Sequence, residues 1–353
     1  MIIRDSRPPD SYWSDPLMLN IGFIACGGIA RHHASRLANV RGARIIACAD
    51  TSAESAESFA AEFGEPGAST YTDYRRMLRR ADLHAIWVCT PTFLHAPAVI
   101  AAAKAGKHIF CEKPMAMKPG DAQRMAAEVD KAGVRFTMGF VRRFCPEWGK
   151  MKQIVQSGTL GSPVIWRFAA GGKPPNQWFR DENKGGGPLL DGAIHNYDFA
   201  LQMLGPVASV QASSCQFDST SVGADTASAI LNFASGDQHT LIWSWGMAKG
   251  APAASLNDLI GPKGTLQFGM TADKAPKGFS AKTHGAFTFK GAGGKQRVFT
   301  YKRSDMFLEQ AKHVVAHFEK NEQPLATAAD GIAALEVGLS VLKSGKSQRT
   351  IRL

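Results

Sequence analysis

Glu112-Lys113-Pro114 closes a short apolar run, Lys107–Cys111, that reads as a strand. In an open parallel sheet, ligands bind outside the carboxyl ends of the strands. An amine at that position sits beside a ligand, and the proline after it biases Lys113 toward an extended backbone. A second group follows Gly185-Gly186-Gly187-Pro188. Proline is favoured at the first helical position. A helix from Pro188 puts Asp191, His195 and Asp198 at i, i+4 and i+7, on one face. A carboxylate beside an imidazole orients it and raises its pKa, which makes a general base near neutral pH. The plainer reading is a surface Asp–His pair worth ~0.2–0.5 kcal/mol. The glycine run counts against it, because backbone without Cβ atoms can approach a ligand closely.

A nucleotide site stands earlier in the chain. Ile21–Ala30 reads as a strand, a tight turn at Cys26-Gly27-Gly28 and a helix start at Ile29-Ala30. Backbone N–H groups at such a start hold a pyrophosphate. Asp50 ends the next strand-like run, at the distance where an acidic residue binds a ribose 2′-hydroxyl. Its carboxylate repels a 2′-phosphate, which favours NAD, while the net charge of +11 leaves NADP open. The alternative for Asp50 is a cap of the following helix. Ala25 and Ala30 stand where the fingerprint has its first and third glycines. Thr90-Pro91 ends another strand-like run at the same sheet edge. His95 is either a neighbour of the nucleotide or a helix-start residue in solvent. Trp178 and Arg180 either touch cofactor or substrate or pack their loop. Of Arg142 and Arg143, at most one serves a ligand, and Arg142 is the candidate.

Positioning these groups takes two kinds of element. Up to about residue 140, strand-like runs (Asn20–Ala25, Arg44–Ala49, Ala85–Cys89, His108–Cys111, Arg135–Gly139) alternate with Ala-rich helical stretches. That spacing predicts βαβ units and a doubly wound parallel sheet, a Rossmann domain over 18–140. From 163 to 300, β-rich runs separated by turn residues predict a large, open, mostly antiparallel sheet, with helices over Asp305–Glu319 and Ala328–Lys343. The fold class is α/β, with a tail over 1–17, a substrate and oligomerisation domain over 141–325 and a C-terminal helix and tail over 326–353.

Composition narrows the function class. With 44% hydrophobic and 20% charged residues in 353, the chain can bury two cores. No apolar run reaches the length of a membrane span. The six cysteines form no CxxC, which excludes metal-ribbon and redox motifs, and no metal is expected. Buried reduced thiols point to a cytoplasmic protein. The basic residues form no block and no nucleic-acid motif, so the expected partner is a phosphorylated cofactor or a small anionic substrate.

Taken together, Gly27-Gly28-Ile29-Ala30, Cys89-Thr90-Pro91 with His95, Glu112-Lys113-Pro114, Gly139–Phe144, Trp178 with Arg180, and Gly185–Gly187 with Asp191 and His195 resemble the Gfo/Idh/MocA family of nicotinamide-dependent oxidoreductases. Arg142-Arg143-Phe144 is similar to the inositol dehydrogenase branch. The resemblance implies NAD or NADP as cofactor, with Glu112 and Lys113 beside it, and a dimer or tetramer built on the open sheet. It implies a final helix that packs near the first domain. It implies oxidation of a secondary alcohol on a sugar, inositol or similar polyol. Lys113, Asp191 and His195 would be catalytic, and these three with Arg142 would bind the substrate. His195 would take the hydroxyl proton and Lys113 hold the oxygen, or the two exchange roles. Two other classes stay open: a glycosidase using transient C3 oxidation by held NAD, and a non-catalytic nucleotide sensor.

Overall fold

The computed structural model describes residues 18–172, 177–270 and 275–353, without the side chains of Gln177 and Arg180. The expected tail over 1–17 and the side chain of Arg180 therefore lie outside the described residues. The chain divides into two compact units.

The first unit is built on β1 (Leu19–Ile24), α1 (Gly28–Leu37), β2 (Ala43–Ala49), α2 (Ala53–Phe63), β3 (Ser69–Tyr71), α3 (Tyr74–Leu78), β4 (Ala85–Val88), α4 (His95–Lys104), β5 (His108–Cys111), α5 (Pro119–Ala132) and β6 (Phe136–Met138). The strands lie in the order β3-β2-β1-β4-β5-β6, and every pair is parallel. This is the doubly wound order, with its switch point between β1 and β4. β1 is buried along its whole length, as a strand covered on both faces must be. The turns after β1, β2, β4, β5 and β6 all leave from one edge, and they carry Gly27, Asp50, Thr90, Lys113 and Gly139. Cys26, Cys48, Cys89 and Cys111 are buried free thiols at or near those strand ends.

The second unit holds α6 (Pro146–Gln156), β7 (Ile165–Gly171), α7 (Ile194–Leu204), β8 (Val207–Cys215), β9 (Thr226–Phe233), β10 (Gln238–Ser244), β11 (Ala254–Gly261), β12 (Gly264–Phe268), β13 (His284–Gly291) and β14 (Gln296–Lys302). After α8 (Met306–Lys320) it takes up α9 (Ala328–Ser347) and β15 (Ile351–Arg352). Its nine strands run β14-β13-β12-β11-β7-β10-β9-β8-β15. β7 and β10 are parallel and the other neighbours antiparallel. Trp148 of α6 and Phe199 of α7 meet edge to face under the sheet, beside Trp166 of β7.

The units differ from the sequence division in a short stretch, Ala116–Pro119, which groups with the second unit, and in one longer segment. Phe307–Ala328 groups with the first unit, not with 141–325. The reason is an apolar stripe: Ala311, Val314, Val315 and Phe318 of α8 join the core of Ile21, Phe23, Trp87 and Phe110, the i, i+3, i+4, i+7 spacing of one helix face. The final helix belongs to the second unit from Ala329 on. There Gly338 lies so near Leu190 and Tyr197 that a Cβ would sit 2.8 Å from Leu190 Cδ1.

Candidate active site

In the first unit the turn after β1 is the tightest feature. Ala25 adopts φ 72°, a left-handed conformation that costs an L-residue about 1–2 kcal/mol. Its N–H donates to Ala49 O at 2.8 Å. Gly27 caps α1 without a side-chain bond, and no acidic residue lies in the first turn. A Cβ on Gly27 or Gly28 would meet nothing within 4 Å. Ile29 is exposed beside this space, while Ala30 is fully buried in the core, where a small residue lets helix and sheet approach. N–H donors bordering open space, with no acidic residue in their own helical turn, suit a phosphate. Asp50 stands across the turn. Its Oδ2 accepts from Cys26 N–H and its Oδ1 from Ser52 N–H, both at 2.9 Å. The cap of α2 is Ser52, which accepts from Ser55 N–H. Asp50 thus braces the glycine turn against the end of β2.

The turns after β4 and β5 are locked by two histidines. His95 is 1% exposed, with Nδ1 at 2.8 Å from Pro114 O and Nε2 at 2.9 Å from Thr90 O. It is neither in solvent nor free to bind a nucleotide, because both ring nitrogens face protein carbonyls. Burial lowers its pKa, against the pull of those carbonyls. The Thr90 hydroxyl beside it is buried and without a hydrogen-bond partner, and Pro91 is half-buried. Glu112, expected at the cofactor, is 6% exposed. Its Oε1 lies 2.7 Å from His33 Nε2 of α1, and its Oε2 accepts from Lys113 N–H at 3.0 Å. Burial pushes this carboxyl up, but the His33 bond, the His33 and Lys113 charges and the Lys113 N–H more than offset it, leaving it below the usual range. Lys113 itself is half-buried at the carboxyl end of β5.

In the second unit the segment before α7 departs from a plain α-helix. Pro188–Gly192 forms a π-helical turn, closed by Ala193 N–H on Pro188 O at 2.9 Å, and α7 starts only at Ile194. Asp191 therefore lies in the π turn and His195 in the first turn of α7, rather than four residues apart on one regular helix. Single π turns of this kind recur at functional sites. Asp191 is 4% exposed and His195 half-buried, its ring centre 6.4 Å from that of Phe140 in an edge-to-face arrangement. The glycine run serves protein packing: a Cβ on Gly185 would sit 2.7 Å from Phe179 Cα, and one on Gly186 2.4 Å from Leu190. Gly186 and Gly187 also take positive φ, 78° and 69°.

Asp198 leaves the expected trio. Arg143 grips its carboxylate through Nε and Nη2 and reaches Asp330 of α9 at 3.0 Å through Nη1. Burial pushes Asp198 up to about 6, with Arg143 working against it. Of the two arginines Arg143 is therefore the inward one. Arg142 is half-buried, with its guanidinium 5.2 Å from the centre of the Trp148 ring. Trp178 stacks on Phe179 at 3.7 Å, and Phe179 meets Trp245 edge to face, so Trp178 packs its loop. Sequence reasoning missed His33–Glu112 and Arg143–Asp198–Asp330. The only local trace of the first was Glu112 itself.

Known proteins carry the same two-unit plan. Residues 19–140 match the model of the oxidoreductase family with an NAD-binding Rossmann fold, and residues 148–267 match the GFO/IDH/MocA C-terminal domain. The chain is 29% identical over 344 residues to a myo-inositol 2-dehydrogenase of Thermotoga maritima, covering 95% of this chain and 98% of that one. It is 26% identical over 348 residues to an inositol 2-dehydrogenase of Rhizobium meliloti, covering 96% and 100%. The crystal structure of a probable dehydrogenase from Thermotoga maritima superposes with a TM-score of 0.76 at 29% identity, over 95% of this chain and 98% of that one. The match in both units and along nearly the whole length makes this chain a member of the Gfo/Idh/MocA family of NAD(P)-dependent oxidoreductases, a dehydrogenase acting on CH–OH groups.

Proposed function

We propose that this enzyme oxidises a secondary alcohol of an inositol or closely similar cyclic polyol, with NAD as the hydride acceptor. The observation that carries the reading is the carboxyl edge of the first sheet. There an open glycine turn, the Asp50 carboxylate and the Lys113 amine follow β1, β2 and β5. The inositol dehydrogenases that align over the whole chain support the substrate class.

Gly27 and Gly28, with the N–H groups of α1, would hold the pyrophosphate, and Asp50 the ribose hydroxyls. Asp50 at that position disfavours a 2′-phosphate, which supports NAD over NADP. Bound there, the dinucleotide supplies hydride chemistry. Lys113 holds the carbinol oxygen and stabilises the charge that builds on it. His195 takes the hydroxyl proton on a ring nitrogen, and Asp191 keeps the imidazole oriented for it. Arg142 binds a neighbouring substrate hydroxyl. Self-association is assigned to the open face of the second sheet, with a second copy as partner. There Ile242, opposite Ala169, and Leu256, opposite the same residue, stay exposed in one cross-strand row.

The test is a panel of inositols, sugars and sugar acids with NAD and NADP in parallel, read by nicotinamide absorbance. Net reduction of NAD by an inositol is the expected result. Sugar release without net reduction would assign the glycosidase reaction instead. Lys113→Ala and His195→Ala should each cut turnover by about 100-fold or more with NAD affinity kept. Turnover near wild type in either variant removes that residue from the mechanism.

A further inference from the structure

We propose that His33 and Glu112 are positioning residues for Lys113, linking the helix that receives the dinucleotide to the lysine that handles the substrate. The inference rests on the role given to Lys113 above and adds the device that sets its place.

The Glu112 carboxylate is closed in on three sides. His33, two turns into α1, approaches one oxygen at 2.7 Å, and the Lys113 N–H donates to the other at 3.0 Å. Gly139, just past β6, forms the third side, where a Cβ would sit 2.9 Å from Glu112 Oε1. A carboxylate is an acceptor only, so the His33 ring must donate. His33 has little room to turn away. Its side chain is 3% exposed, and its ring is held edge-on by Phe110 at 4.9 Å and Phe307 at 5.4 Å. On the other side of Lys113, the buried His95 ring sits between the Pro114 and Thr90 carbonyls, and its one N–H donates to one of them. The lysine backbone therefore has one imidazole-anchored group before it and a carbonyl facing an imidazole after it. Of the two, His33 is the one on α1, whose first turn borders the glycine site. A displacement of α1 is transmitted to Lys113 through two hydrogen bonds.

The experiment is a double-mutant cycle in the full-length enzyme, with myo-inositol and NAD, together with hydrogen exchange of the peptide covering Glu112–Met115. His33→Phe should lower kcat by about tenfold or more while KM for myo-inositol stays within about threefold. It should speed exchange at the Lys113 amide by about tenfold or more, with and without NAD, while β1 and β4 stay protected. His33→Gln, which restores an N–H donor, should recover both. In the Lys113→Ala background, His33→Phe should cost nothing more, because the two act as a unit. If His33→Phe does not fold, Glu112→Gln takes its place in the cycle with the same expectations. Additive losses, unchanged exchange at the Lys113 amide, or a Gln variant as impaired as the Phe variant would overturn the proposal and leave Lys113 catalytic. Wild-type turnover in Lys113→Ala alone would instead overturn the role of the lysine, and this inference with it.

Discussion

Ala25 holds a backbone angle that glycine holds without strain. At φ 72° its Cβ crowds the following carbonyl. Replacing it with glycine removes that cost of about 1–2 kcal/mol and adds about 0.4–1 kcal/mol of unfolded-chain entropy. Ala25→Gly should therefore stabilise the enzyme by about 0.5–1 kcal/mol in urea unfolding. A destabilised variant would show that packing of the methyl outweighs the angle. At this scale the sequence was legible in where a residue stands relative to a strand end. Asp50 and Lys113 are such residues, each just past a parallel strand. His33 was not, because its partner is 79 residues away and no local pattern announces it. The burial of His95 was not legible for the same reason, as the two carbonyls its ring faces, Thr90 O and Pro114 O, belong to separate turns.

Elements with a strong period were readable, and those without it were not. β1, β2, β4 and β5 are buried apolar runs and fell where alternation placed them. β3 is three residues long, and β14 is a polar edge strand, Gln296–Lys302. Neither carries enough apolar signal to stand out. The turn at Pro188 read as α-helical because a π turn has the same residue preferences over five residues, and only its hydrogen bonding reveals it. What fixes α7 is Arg143, which joins it to α9 through Asp198 and Asp330, 55 and 187 residues away. Arg143→Ala leaves Asp198, fully buried, without its cation. Removing one partner of a buried pair costs about 3–5 kcal/mol. The loss should be largest at alkaline pH and shrink as pH falls toward about 6, because without Arg143 the buried Asp198 takes up its proton at a higher pH than in the wild type. Urea unfolding of both proteins at several pH values measures it. A deficit independent of pH would place the cost in packing rather than charge.

Across the whole molecule, each unit contains a histidine that the fold keeps neutral, half-buried in the first and fully buried in the second. In the first, His108 Nδ1 accepts from Arg135 N–H at 3.2 Å, a bond only the unprotonated nitrogen can make. In the second, His239 stacks on Trp166 at 3.9 Å, and its Nε2 is buried with no partner for a proton. Burial pushes both down to about 4, with Arg135, His317 and His84 adding to the effect at His108. Both values lie below the unfolded value of about 6.5, so between about 6.5 and 4 the unfolded chain binds more protons than the folded one. Stability should therefore hold above pH 7 and fall as pH is lowered through that window. Each histidine contributes up to about 3 kcal/mol of the loss by pH 4. His239→Phe keeps a ring against Trp166 but cannot titrate, so its unfolding free energy should fall less steeply over the same window while His108 still titrates. An unchanged pH slope in that variant would mean that His239 is protonated in the folded enzyme or plays no part in its acid sensitivity.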